Sequence, residues 1–136
     1  MPTLGIAPEK VCFLIARARQ FHAKVEPVVA DPGDNVSDDG FREILEDYDD
    51  DPVVIEMRQH LEGLNEEEYT NLLALMWLGR GDYAKEEWDD ILADARSIED
   101  ERGPRYLIGT PLLADYLQEA LDQLGYSCED FERGRM

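Results

Sequence analysis

Three features of the sequence predict an all-α fold. Apolar residues recur at spacings of three and four along most of the chain, and helix-capping residues precede those stretches. No segment alternates with period two for long enough to suggest a sheet. With 136 residues, 43% of them hydrophobic, the chain is long enough to bury a core without staples. The expectation is a single compact domain over residues 1–136, built of about six main helices around a central apolar helix at 65–78.

The first helix is read from Pro8 to Lys24. Val11, Leu14 or Ile15, Ala18 and Phe21 form its apolar face, and Pro8 suits a first helical turn. Periodicity is lost near 25–36, where Pro27, Pro32, Gly33 and Asn35 predict a loop. Ser37 then caps a second helix with Phe41, Ile44, Leu45 and Tyr48 on one face. Asp51 and Pro52 form an N-cap and first-turn pair for a third, whose buried side is Val53, Val54, Met57 and Leu61 up to Gly63.

The fourth start is the strongest. Asn65 with Glu68 three residues on has the pattern of a capping box, and Glu66 and Glu67 place negative charge where the helix dipole favours it. Removal of such a cap costs about 1 kcal/mol. Leu72 to Leu78 is apolar around nearly the whole circumference, which marks the helix as central. Gly79 and Gly81 break it, and Asp82 is placed to cap a fifth helix carrying Trp88, Ile91, Leu92, Ala95 and Ile98 up to Arg102. Tyr106 to Ile108 reads as a short apolar bridge. Thr110 and Pro111 restart a helix with Leu113, Tyr116, Leu117, Ala120, Leu121 and Leu124, ended by Gly125, and the tail at 126–136 is free to fray.

Charge and cysteine content narrow the functional classes. The 13 basic and 32 acidic side chains give a formal net charge of −19, so phosphate backbones and anionic membranes are repelled. Neither nucleic acid nor membrane is an expected partner. The N-terminus lacks a basic leader region, and the apolar run Val11 to Ala16 is too short for a signal core or a membrane span. A cytoplasmic protein is expected, with Cys12 and Cys128 as reduced thiols and Cys12 as a small buried hydrophobe.

Chemical motifs are incomplete. Asn35, Ser37, Asp39 and Glu46 fall at EF-hand positions 1, 3, 5 and 12 with Gly40 at position 6, the spacing that places hard oxygen ligands around a divalent cation. Position 1 is normally aspartate, however, and Arg42 occupies the usually apolar position 8. Simple capping by Ser37 accounts for the same residues, so this is a weak candidate. Glu56 and His60 lie one helical turn apart, with only His22 as a second imidazole. No residue set forms a nucleophile with its base, and neither catalysis nor a cofactor is expected. In the turn Gly79–Asp82, Arg80 is set between two glycines and flanked by Trp77 and Trp88. Such a turn can offer backbone N–H groups and a guanidinium to an anion. Trp77, Arg80, Asp82 and Trp88 are therefore the candidate ligand-binding residues, against the simpler reading of a helix C-cap with a structural arginine.

A family resemblance rests on these residues. Glu9-Lys10-Val11-Cys12, Asp31-Pro32-Gly33 with Ser37-Asp38-Asp39-Gly40, the block Ala74 to Asp82, Glu87-Trp88-Asp89, Pro111 to Leu117 and the tail Ser127 to Phe131 together resemble the bacterial family catalogued as domain of unknown function 3775. The resemblance implies a small, largely helical bacterial protein; it brings no activity and no catalytic residues. The leading expectation is a non-catalytic, acidic helical module of a bacterial cytoplasm that binds an unknown protein partner or itself. The alternatives are a small-ligand or anion binder using the Gly79–Asp82 turn, and a weak divalent-cation binder.

Overall fold

The computed structural model describes residues 4–29, 48, 50–98, 104–110 and 112–128. Among these residues there are six α-helices and no strand: α1 (Pro8–Val29), α2 (Pro52–Glu62), α3 (Glu66–Arg80), α4 (Trp88–Ser97), α5 (Pro104–Ile108) and α6 (Leu113–Leu124). The expected helix from Ser37 to Tyr48 lies outside the described residues except for Tyr48, as does the 30–36 part of the expected loop.

Local chemistry sets the helix ends. The Asp51 carboxylate accepts from the Val53 N–H at 2.8 Å and Pro52 follows it, satisfying one orphan donor and omitting another. In α3 the capping box is complete, with the Glu68 N–H donating to Asn65 Oδ1 at 2.7 Å and the Asn65 N–H to Glu68 Oε1 at 2.9 Å. Gly81 and Gly125 close α3 and α6 at φ values of 96° and 87°, in the left-handed region that glycine enters without strain.

Several boundaries differ from the sequence expectation. The helix that carries Trp88 ends at Ser97 instead of reaching Arg102, and the expected bridge Tyr106 to Ile108 lies within α5. The first helix continues to Val29 through Pro27. Proline in a final turn removes only one backbone donor, and the helix ends two residues later. Gly79 does not break α3 but lies inside it, and the helix runs on to Arg80. Asp82 does not cap α4. A 3₁₀ turn at Lys85–Glu87 leads into that helix instead, and the Glu87 carboxylate accepts from the Ala84 N–H at 2.8 Å. Thr110 turns backward: its hydroxyl donates to the Tyr106 carbonyl at 3.0 Å, closing α5 rather than opening α6.

Every residue from Tyr69 to Leu78 is buried, which confirms α3 as the central apolar helix. Its most extensive seam is with α6, which also packs on α1; α4 covers another side of α3, while α2 lies on α1 and α5 on α2. Asn71 is a buried polar residue within α3. Its side chain accepts from the Gly5 N–H at 2.9 Å and donates to the Glu67 carbonyl at 2.9 Å, so burial leaves neither end of the amide unmatched.

The scarce cations sit at the seams. Lys10 pairs with Glu68, Arg17 with Glu56, Arg19 with Asp115 and Lys24 with Asp51, tying α1 to α3, to α2, to α6 and to the N-cap of α2. Arg96 joins α4 to Glu67 of α3 at 3.2 Å. Each exposed pair is worth less than about 1 kcal/mol, but all five orient neighbouring elements.

The cysteines are not free thiols. Cys12 of α1 and Cys128, just beyond α6, form a disulfide across a sequence separation of 116 residues, with Cα atoms 5.6 Å apart. Both are buried, so Cys12 does occupy the core, though as half of a bridge. The start of the tail is therefore pinned; residues 129–136 lie outside the described residues. The pairing is not legible in the sequence, because only the fold carries the chain end back to the first helix. Among the described residues, no helix is long and apolar enough to cross a membrane.

Candidate functional site

The turn from α3 to α4 brings three of the four candidate residues together. At the end of α3 the Gly81 N–H donates to the Leu78 carbonyl at 3.1 Å and the Asp82 N–H to the Trp77 carbonyl at 3.2 Å. These two donors are used within the helix cap. The glycine-framed turn thus does not present them outward as the sequence suggested.

The side chains form a small cluster instead. Arg80 donates from Nε at 2.9 Å and from Nη2 at 2.6 Å to Asp82 Oδ2. Burial opposes the Arg80 charge, but hydrogen bonds to Asp82 and to the Tyr106 hydroxyl outweigh it and raise the guanidinium above its ordinary pKa. The arginine is held charged, with an internal carboxylate occupying one edge. Trp77 Nε1 is 3.5 Å from the same Tyr106 hydroxyl, and the Trp77 ring stacks with Tyr83 at 6.3 Å between centroids. The Tyr83 hydroxyl donates to Asp94 Oδ2 at 2.6 Å; this bond pushes the Tyr83 pKa up to about 12.

Trp88 does not stand beside the turn as an open wall. It is the first residue of α4, buried in the core, and its indole N–H has no hydrogen-bond partner among the described residues. Sequence reasoning missed Tyr83, Asp94 and Tyr106 as members of the cluster. Tyr83 adjoins Asp82 in sequence and was open to notice, but Asp94 and Tyr106 arrive through the packing of α4 and α5.

Other candidates separate. Glu56 forms an ion pair with Arg17 at 3.1 Å, whereas His60 Nε2 lies 2.9 Å from the Lys10 carbonyl oxygen, with its ring against Phe13 at 4.6 Å. The two do not converge on an ion. Burial lowers the His60 pKa despite the bond to the Lys10 carbonyl, which favours a neutral imidazole donating from Nε2. Among the described residues no group of three His, Cys, Asp or Glu side chains is arranged to hold a metal. Asn35, Ser37, Asp39 and Glu46 lie outside the described residues.

The outer surface at and around this cluster is strongly acidic. Asp82, Glu86, Glu87, Asp89, Asp90 and Asp94 are all exposed, with Lys85 the one basic residue in that stretch. Asp89 and Asp90 lie in the first turn of α4, where the helix dipole tolerates them. Leu112 is the one large hydrophobic side chain exposed among the described residues.

No curated protein matches the chain, and no solved structure matches it. Residues 54–126, from within α2 to just past α6, match the family described as "Protein of unknown function (DUF3775)". That segment contains the central helix, the Arg80 turn and α6, and is just over half of the sequence; the chain belongs to this family.

Proposed function

We propose that the protein is a non-catalytic interaction module that docks a basic partner surface onto the acidic face of the 82–94 segment. The observation that carries this reading is the division of charge. Five cations of the described residues are paired across the seams between helices, while six carboxylates, of which Asp82 is paired with Arg80, stand exposed along one stretch of thirteen residues around Lys85. Such a face attracts a cationic partner at long range and adds specificity through the placing of its charges.

The chemically versatile residues support the same reading, because each has a structural partner. Cys12 and Cys128 hold each other, His60 holds a backbone carbonyl, and Arg80 holds Asp82. A small anion at Trp77, Arg80 and Asp82 is the second reading, favoured by the Tyr106 hydroxyl shared between Trp77 and Arg80. It requires the anion to compete with Asp82 for the guanidinium.

Titration with a lysine-rich peptide at physiological salt tests the proposal. Asp89→Asn combined with Asp90→Asn is expected to weaken binding about three- to tenfold. Glu119→Asn combined with Asp122→Asn, on the exposed face of α6, is the control for general charge. Equal losses from both pairs, or no binding by the unaltered protein, would overturn it.

A further inference from the structure

The Cys12–Cys128 bridge ties together two parts of the chain that the family segment at 54–126 does not include. One anchor is in the first half of α1. The other lies beyond the Gly125 cap, where the Gly125 N–H donates to the Asp122 carbonyl at 3.2 Å and the Tyr126 N–H to the Leu121 carbonyl at 2.8 Å. Those bonds end α6 and turn the chain toward α1, with Tyr126 half-buried on the core and the disulfide at Cys128 two residues on. The sulfur-bearing residues are 3% and 6% exposed, so a reagent reaches them through local opening, and a segment just beyond a helix end opens at less cost than the core.

We propose that the bridge is a redox-controlled lock on the terminal frame of the fold. Oxidised, it clamps the first half of α1 to residues 125–128 and fixes both on the family core. Reduced, the same pieces are held by their non-covalent contacts, among them the bonds at Gly125 and Tyr126 and the ion pairs of α1. The covalent step is ordinary thiol–disulfide exchange. A small-molecule thiolate attacks one sulfur of the bridge, the S–S bond breaks, and the other cysteine leaves as a thiolate that takes up a proton. A second thiol resolves the mixed disulfide, so that two small thiols are oxidised to their disulfide while the protein gains two thiols. Cross-linking over so long a loop restricts the unfolded chain strongly, so reduction lowers global stability, and loss of the bond between the two anchors additionally lets them open locally before the core does.

Reduction of the intact protein with dithiothreitol, followed by thermal unfolding and amide hydrogen exchange, tests the lock. Tm is expected to fall by about 10–20 °C. Exchange is expected to rise first in residues 8–15 and 125–128, with 72–78 still protected at 25 °C. Oxidised glutathione should restore a monomeric bridged chain and its Tm. Cys128→Ser should show the lower Tm without reductant and no further change with it; if that variant fails to fold, the reduced unaltered protein gives the same reading. A Tm shift below about 2 °C, exchange rising evenly over all helices, or failure of the native thiols to rejoin would overturn the proposal.

Discussion

Gly79 in α3 faces the backbone of Tyr116 in α6 so closely that a β-carbon on Gly79 would lie 1.7 Å from the Tyr116 carbonyl oxygen and 2.5 Å from its carbonyl carbon. The most extensive helix seam among the described residues thus depends on a missing side chain. Glycine here permits close approach, a different use from the left-handed turn at Gly81, where a β-carbon would meet nothing within 4 Å but φ is 96°.

Gly79→Ala therefore has an expected sign opposite to that of helix propensity. In an open helix the change would stabilise by about 1 kcal/mol. At this seam the methyl meets backbone that cannot rotate away, and the two helices must separate, so a net destabilisation of about 3 kcal/mol is expected. Urea unfolding with a two-state fit measures it, and a neutral or more stable variant would show that the seam yields freely.

His60 gives a pH dependence with a definite sign. Burial holds its folded pKa below the ordinary 6.5, so the unfolded chain takes up the proton first as pH falls. Its contribution is complete above about pH 6.5 and declines as pH falls toward the folded value. Between about pH 7.5 and about pH 5.5 the unaltered protein should lose more Tm than His60→Gln does. Parallel pH profiles would mean that the imidazole does not titrate differently on folding. A separate acid limb belongs to Asp51, held low chiefly by Lys24, and Glu68, held low chiefly by Lys10, from ordinary values of 3.8 and 4.5. Their contribution is present above those values and is lost as pH falls through the lower folded ones.

Salt separates net repulsion from local pairing. With a net charge of −19, self-repulsion opposes the compact state, and physiological salt screens it over about 8–10 Å. Ion pairs such as Lys24–Asp51 at 2.7 Å weaken under the same screening, but the excess of carboxylates is larger. Tm is expected to rise from low salt to roughly 0.5 M NaCl and then level off. A fall over that range would show that the seam pairs dominate.

The sequence by itself determined the helical class, the caps at Asp51 and Asn65, the terminators Gly81 and Gly125, and the burial of Leu72 to Leu78. These are local properties: a cap reaches two or three residues, an apolar face repeats every three or four, and a left-handed turn concerns one residue. It also marked Arg80 and its neighbours, because a tryptophan, an arginine and an aspartate around glycines stand out in one short stretch. It did not show that Arg80 would be held by Asp82 and Tyr106, or that Thr110 would close α5 rather than open α6. Only the tertiary structure decided those roles, together with Gly79's place against Tyr116 and the union of Cys12 with Cys128 across 116 residues. Arg80–Asp82 and Thr110–Tyr106 are short-range choices among rival caps and pairings; the others depend on what a distant segment brings within a few ångströms, and hydrophobic packing of α3, α6 and α1, which acts without regard to sequence distance, sets that proximity.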